Sequence, residues 1–458
     1  MDITCAGAAR TVTGSCHHLG LDGTRLLLDC GLFQGGRDAE ADNRAEFPFE
    51  PGALDAVLVS HGHLDHVGRL PLLVERGYRG PILATAATRN IAEVILRDAA
   101  KLQEEDYRRD LRKATRAGRE QEVPLPLYED RDVDRTMELF QVVEMDGDVD
   151  LPGGARARFR PAGHVLGSAT IQLDQGGTRL AFSGDLGNRE SALQAPAELP
   201  DAADLAIVET TYATRNHRSR RATEAEFAAV LQASLGKGGN VLIPTFALER
   251  SQAVLYEIRR LMLRGAIPRV RVFLDSPMAT RLTRFYEHGE NEFRDEIKTV
   301  LADGHDPFAP PTLELTVDTE ASKAINAVDG GAIILAGSGM MTGGRILHHL
   351  KHNLWREDAS LVVVGYQASG TLGRALVSGA ERVHIFGEEI KVRAGIHTIN
   401  GFSAHADHDD IRHWLDATGD AEVFLVHGEP ETMDAFAEEL RGEGRRVTTP
   451  EPSTTYHR

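Results

Sequence analysis

Apolar and polar positions alternate in short runs through the first ninety residues, with glycine-bearing turns between them. Residues 1–6, 15–20, 24–29, 54–60 and 81–84 read as strands, and 67–76 reads as a helix. From 88 to 120 the pattern is helical and dense in charge of both signs, as between Asp98 and Lys113, which predicts a solvated helical excursion broken by Pro124 and Pro126. Strands resume near Phe140 and at 156–160, 168–173 and 179–183, and a run from Asp204 to Thr210 closes this half.

After 213 the rhythm changes. Strands at 240–246, 270–275, 332–336 and 360–365 alternate with helices at 251–264, 279–288 and 344–353, the signature of a parallel α/β unit. The earlier pattern then returns, with a strand at 389–394, a helix at 409–417, a strand at 422–426 and a helix at 432–441. A chain of 458 residues should build more than one core. The expected division is a first domain made of 1–212 and 381–458, interrupted by an inserted domain at 213–380. No repeat or low-complexity segment stands out.

The chemistry concentrates just after the apolar run at 54–60, in His61-Gly-His63-Leu-Asp65-His66. In an extended segment side chains alternate faces, so His61 and His63 can share one ion. The turn that follows lets Asp65 and His66 address a second. Imidazole and carboxylate without thiolate suit Zn²⁺, with Mn²⁺ or Fe²⁺ as lesser options. His164, Asp185 and His427 each end a predicted strand next to a glycine, and a rigid sheet edge delivering several ligands makes a well-defined site. The pattern predicts His61, His63 and His164 around one zinc and Asp65, His66 and His427 around another, with Asp185 bridging. Taken alone, His164 or His427 would read as an ordinary loop histidine.

Composition narrows the setting. No apolar run nears the roughly 18 residues of a membrane helix, and Met1-Asp-Ile-Thr-Cys5 lacks a basic-then-apolar leader, so a cytoplasmic protein without membrane attachment is expected. Cys5, Cys16 and Cys30, an odd number in predicted strands, fit a reducing compartment and buried apolar roles. The net charge of −18 argues against bulk electrostatic coating of nucleic acid. Metal ions and a few local cations could still hold a polyanion. Arginine outnumbers lysine 44 to 7, which favours bidentate phosphate contacts, although genomic base composition accounts for most of such a bias.

The His-x-His-x-Asp-His cluster with His164, Asp185 and His427 resembles the metallo-β-lactamase-fold hydrolases. Glu209-Thr-Thr-Tyr, Phe402-Ser-Ala-His405-Ala-Asp and Val426-His427-Gly resemble that superfamily's β-CASP RNA-processing ribonucleases, which include the endonuclease of pre-mRNA 3′ ends. Pro244-Thr-Phe-Ala-Leu, Asp275-Ser-Pro-Met and Gly337-Ser-Gly-Met-Met point the same way, and the likeness covers almost the whole chain. It implies an α/β fold, a four-layer αββα sandwich with an inserted parallel α/β β-CASP domain. It also implies hydrolysis of RNA leaving 5′-phosphate and 3′-hydroxyl ends, and family members often pair as homodimers.

In this reading a hydroxide shared by two zincs attacks phosphorus, with Asp65 and Asp185 serving the ions. His405 is the candidate general acid, and Glu209 orients and charges it. Asp29, ending Leu26-Leu-Leu-Asp, is expected behind a ligand rather than on a metal. Arg250, Ser403, Ser338 and, in Ala368-Ser-Gly-Thr-Leu-Gly, Gly370 and Thr371 are candidate contacts for single-stranded RNA, the glycine-rich turns offering N–H groups to phosphate. Arg215, Arg218, Arg220 and Arg221 form a basic loop that could track the backbone, though such runs are more often simply solvated. Endonuclease action is favoured over exonuclease action. The rival readings are a small-molecule hydrolase of the same fold acting on thioesters or phosphodiesters, a DNA-repair relative, and a non-catalytic RNA-binding subunit. The inserted domain and Phe402-Ser-Ala-His-Ala-Asp oppose the first. His427, which the resemblance assigns to the RNA-acting members, opposes the second. The full ligand set opposes the third.

Overall fold

The computed structural model describes residues 1–35, 38–289, 292–368 and 370–458. Ser369, within one of the glycine-rich turns singled out above, lies outside the described residues. The chain forms two compact units: Met1–Arg189 with Pro196–Asn216 and His405–Arg458, and Glu190–Ala195 with His217–Ala404.

The first unit contains two seven-stranded sheets. One runs Thr455–His457, Asp2–Gly7, Cys16–Leu21, Thr24–Leu28, Ala56–Leu58, Ile82–Ala84, Phe140–Val142; the other runs Val447–Thr448, Glu422–Val426, Leu205–Glu209, Thr178–Phe182, Ala169–Gln175, Arg156–Pro161, Asp148–Asp150. Side chains from both sheets meet in one apolar core that includes Ile3, Leu26, Leu28 and Leu58 on one side and Phe159, Phe182, Ile207 and Phe424 on the other. Each buried phenylalanine contributes about 2–3 kcal/mol through removal of its ring from water. Leu27, Val57 and Ile82 alternate with that set and are also fully buried, as the two-residue period of a strand covered on both faces requires. Helices His408–Ala417 and Pro430–Gly442 cover the second sheet through Ile411, Trp414, Phe436 and Leu440. Helix Asp130–Met137 packs on both Leu70–Glu75 and Ala86–Ala117, and the long one reaches Phe140–Val142 of the first sheet. Helix, sheet, sheet and helix make the expected sandwich.

The second unit is a six-stranded sheet ordered Leu313–Leu315, Arg271–Asp275, Ala332–Ala336, Val241–Pro244, Ser360–Val363, Gly395–Thr398, every pairing parallel. Helical residues bury one face (Phe227, Val254, Ile258) and the other (Ile346, Leu350, Leu376). Among the described residues, no helix is long and apolar enough to cross a membrane.

Several local expectations change. The helix at 67–76 is two helices, Leu64–Val67 and Leu70–Glu75, because Gly68 caps the first and the Arg69 N–H bonds to Cys30 O at 2.9 Å. Asp65 and His66 therefore sit on a helical turn. Gly118, at φ +67, ends the charged helix six residues before Pro124, so the prolines do not break it. Arg220 and Arg221 open helix Arg220–Gly236 behind a Ser219 cap rather than lying in a loop. The second unit also continues past 380 to Ala404. Arg382–Ile385 and Glu388–Lys391 form a hairpin whose Val383, Ile385 and Ile390 join that unit's core, and Gly395–Thr398 pairs with Ser360–Val363.

Candidate metal centre

All seven donors named for the metal site belong to the first unit. Strands Thr178–Phe182, Leu205–Glu209 and Glu422–Val426 are mutually parallel, so their C-terminal ends emerge along one edge, where they present Asp185, Glu209 and His427. The loop carrying His164 lies backbone to backbone against the loop carrying Asp185: a Cβ at Gly187 would fall 1.9 Å from Gly163 O. Glycine is required for that approach.

The side chains converge in two groups, His61, His63, His164 and Asp185, and Asp65, His66 and His427. In the first, His63 Nδ1 stands 3.0 Å from His61 Nε2 and 3.2 Å from His164 Nε2, and Asp185 Oδ2 is 3.5 Å from both of those Nε2 atoms. In the second, His66 Nε2 is 3.3 Å from His427 Nε2, which is 3.5 Å from Asp65 Oδ2. Asp185 Oδ1 turns to this group, 3.3 Å from His66 Nε2 and 3.6 Å from His427 Nε2. One carboxylate thus offers one oxygen to each set of imidazoles.

Outer groups settle which ring nitrogen points inward. His66 Nδ1–H donates to Asp29 Oδ2 at 2.7 Å, and Asp29 also accepts from Ser60 N, Ser60 Oγ and Ser15 Oγ. His61 Nδ1–H donates to Ser60 Oγ at 3.1 Å. His427 Nδ1–H donates to Thr211 Oγ1 at 3.0 Å, and that hydroxyl donates to His427 O. Each bond leaves Nε2 as a lone-pair donor facing the cluster, the usual way to orient a metal-binding histidine. Ser60 and Thr211 were not named from sequence. The available signal was a hydroxyl beside a ligand (Ser60 before His61) or beside Glu209.

The electrostatics call for positive charge. Burial drives the His61 imidazole well below its ordinary range, and His63 down to about 4. Burial opposes ionisation of Asp185 as well, yet His427, His66 and His61 together hold it well below the carboxylate range; Asp65 is lowered to about 2 against burial by its bond to His427. His66 is raised against burial by Asp185 and Asp29. Asp185 Oδ1 is buried, and no donor among the described residues completes a hydrogen bond to it. A buried charged oxygen with no donor is costly unless a cation is present. Four inward Nε2 lone pairs, one Nδ1 and two carboxylates fit divalent metal.

Beside this cluster stands His405, 22% exposed, with its Nδ1 3.2 Å from Glu209 Oε1 and 3.8 Å from Asp185 Oδ2. The Glu209 carboxylate is fully buried and also accepts from Leu186 N at 2.8 Å and Thr211 N at 3.3 Å. Ala406 N donates to Leu186 O, which ties the His405 segment to the Asp185 turn. Burial lowers the His405 pKa, but Glu209 and Asp185 prevail and raise it to about 9.

Residues 10–226 match the metallo-beta-lactamase superfamily, residues 251–376 the Beta-Casp domain, and residues 389–450 the Zn-dependent metallo-hydrolase RNA specificity domain. Over 448 residues, 98% of each chain, the sequence is 44% identical to ribonuclease TTHA0252 of Thermus thermophilus. The chain belongs to the β-CASP ribonuclease family of metallo-β-lactamase-fold hydrolases. It is 31% identical to the transcription termination factor FttA of Methanocaldococcus jannaschii, over 96% of this chain and 68% of that one. It is 26% identical to cleavage and polyadenylation specificity factor subunit 3-I of Arabidopsis thaliana, over 96% of this chain and 60% of that one. A crystal structure of a protein of unknown function from Enterococcus faecalis shares the fold, with a TM-score of 0.56 at 11% identity over 99% of both chains.

The residues named from sequence as RNA contacts, Arg250, Ser338, Gly370, Thr371 and Ser403, lie in the second unit. Arg250 opens helix Arg250–Leu263 and donates to Val364 O. It lines a pocket with Glu249, Glu257, Arg220 and Ser403. The Ser338 hydroxyl accepts from Thr342 N and Gly343 N, holding its own turn. Thr371 Oγ1 caps the six-residue helix Leu372–Val377, accepting from Arg374 N and donating to Ala368 O, and Gly370 precedes it at φ +81. Both hydroxyls therefore serve their own turns. In the arginine run, Arg218 pairs with Glu226 and Arg220 with Glu224 and Glu296, while Arg215, in the first unit, stacks on Tyr212. Arg218 and Arg220 are thus paired with carboxylates of their own unit.

Proposed function

We propose that this protein is a metal-dependent ribonuclease that hydrolyses phosphodiester bonds of single-stranded RNA in RNA processing or decay. In this reading it binds two zinc ions, one at His61, His63 and His164 and one at Asp65, His66 and His427, with Asp185 between them. The products carry 5′-phosphate and 3′-hydroxyl ends, and cleavage is endonucleolytic. The observation that carries the reading is Asp185, each of whose oxygens faces a separate set of imidazoles, with the His405–Glu209 pair alongside. Ribonuclease TTHA0252, similar along its whole length, supports the choice of RNA.

Ions bound there would supply hydroxide near neutral pH and offset charge on the phosphoryl oxygens. The chain's own part is orientation and proton transfer. Asp29, Ser60 and Thr211 hold the ligand rings in one tautomer, so little reorganisation accompanies catalysis. Glu209 fixes His405 through Nδ1, which leaves Nε2–H to protonate the departing 3′ oxygen.

The test incubates zinc-loaded protein with end-labelled RNA and with single-stranded DNA of the same sequence, beside an Asp185→Asn variant. We expect internal cleavage of RNA, little of DNA, and a variant about a hundred- to a thousandfold slower, the scale on which an electrostatic stabiliser of a transition state counts. Intact RNA at full metal content would sink the reading and turn attention to thioesters and small phosphodiesters.

A further inference from the structure

The large aromatic side chains exposed among the described residues are Phe246, Trp355, Tyr366 and Phe386, all in the second unit. Trp355 precedes strand Ser360–Val363, and Phe386, at the tip of a hairpin, lies 4.6 Å from the His348 ring in a tilted contact. The other two lie together in the topology. Phe246 follows Val241–Pro244 by two residues, and Tyr366 follows Ser360–Val363 by three; these strands are parallel neighbours, so both rings leave the same edge of the sheet.

Phe246 is 43% exposed and Tyr366 is 51% exposed, but their backbones are tightly held. Phe246 O accepts from Ser251 N and, at 2.7 Å, from Ser251 Oγ. Its ring lies over Gly339, where a Cβ would stand 2.7 Å from Phe246 Cδ2. Gln367, 4% exposed, links the two positions through its amide, donating to Gly339 O at 3.0 Å and to Tyr366 O at 3.0 Å. The Arg374 guanidinium stacks 5.4 Å from the Tyr366 ring centre and makes no ion pair among the described residues. Rigid, solvent-facing rings lose little entropy on binding a flat partner, and an unpaired arginine beside them selects an anionic one.

We propose that Phe246, Tyr366 and Arg374 form a stacking subsite for unpaired bases of single-stranded RNA, the rings taking base faces and the guanidinium a phosphate. The subsite rests on the ribonuclease reading and adds the reason for preferring unstructured substrate. Every base has a π-face, so the platform tolerates any sequence but rejects a duplex, whose bases are already stacked. It also lets a protein of net charge −18 hold RNA without a basic surface.

The test uses short RNA carrying 2-aminopurine, whose fluorescence falls when it stacks, bound to full-length protein in an Asp185→Asn background so that the strand survives. Phe246→Ala and Tyr366→Ala should each weaken binding about five- to a hundredfold and abolish part of the quenching. Tyr366→Trp should restore both. In the otherwise wild-type enzyme the alanine variants should raise KM for RNA while hydrolysis of methyl p-nitrophenyl phosphate is unchanged, which a misfolded variant would not show. Wild-type affinity and quenching in both alanine variants would overturn the subsite. So would a change only in self-association, which would make the rings an interface between copies. Failure of the unsubstituted parent to bind RNA at all would count instead against the ribonuclease reading, and the subsite would fall with it.

Discussion

Two buried carboxyl groups, one in each unit, answer burial in opposite ways. Asp185 and Glu249 are 2% and 4% exposed, and each lies a few residues beyond the end of a parallel strand. Burial pushes both towards the neutral acid. At Asp185 four surrounding imidazoles overturn that push and hold the group ionised. At Glu249 the hydrogen-bond partners are neutral, the Tyr286 hydroxyl at 2.7 Å and the Gln194 amide at 3.3 Å, the charges of Arg250 and Glu292 act in opposite directions, and burial prevails to raise the pKa to about 7. The same kind of sheet edge thus builds a charged centre in one unit and an internally satisfied one in the other. On the proposed function, chemistry belongs to the first edge. The second has polar groups that serve their own turns and aromatic rings that face water, and the proposed subsite gives it the holding of substrate.

The most severe way to break this contrast is at His405. If the first unit's edge is where protons move, His405→Ala should lower kcat for RNA by about 10² to 10⁴, the range of a lost general acid, without lowering metal content. Glu209→Gln should follow it, since the amide can still meet Nδ1 but brings no charge, and the double variant should be little worse than either alone. Steady-state kinetics beside metal analysis decides the point. Near-normal rates in His405→Ala would show that the departing oxygen takes its proton from another group, and would remove the general-acid role from His405.

A smaller effect is expected one layer out. Asp29→Ala removes the acceptor of His66 Nδ1–H, and Thr211→Val that of His427, so metal affinity should fall about 10- to 100-fold in each. Competition with a chromogenic chelator measures it, and the activity of both variants should recover as free zinc is raised. Recovery separates these positions from His405, whose loss no amount of metal repairs.

The grouping of donors was legible because His61, His63, Asp65 and His66 fall within six residues and the rest sit at strand ends, where residue type and position agree. Apolar periodicity likewise marks most strands. Other features depend on contacts that periodicity does not encode. The hairpin at Arg382–Ile385 and Glu388–Lys391 alternates like a strand pair of either unit, so only its place in the second unit's core, beside helix Leu372–Val377, assigns it there. The two-residue strand Val447–Thr448 and the terminal strand Thr455–His457, which joins Asp2–Gly7, are too short to carry a pattern. Ser338 and Thr371 look like phosphate ligands in a glycine-rich string, yet their hydroxyls close their own turns. The helical break after Val67 arises from Arg69 N–H and Nε reaching Cys30 O and Gly31 O, a tertiary preference that overrides a continuous apolar run.

The smallest effect tests the second unit's side of the contrast. Glu249 occupies the centre of a tight turn, φ +62 and ψ −53, closed by Arg250 N–H to Leu248 O at 2.7 Å, a conformation that side chains rarely adopt. Its carboxyl stays protonated in the fold up to about pH 7, whereas in the unfolded chain it ionises from about 4.5. Between those values the unfolded state binds fewer protons, so stability falls as pH rises through the window and levels off above it. The interval caps the effect near 3 kcal/mol, and relaxation around the ionised group should leave about 1–2 kcal/mol. Glu249→Gln keeps an acceptor for Tyr286 and Gln194 but cannot ionise. It should therefore match the parent in thermal midpoint at pH 4.5 and exceed it by a few degrees at pH 8. Equal midpoints at both pH values would mean that Glu249 is ionised in the fold like Asp185, and that the second unit also holds a buried charge in need of a partner.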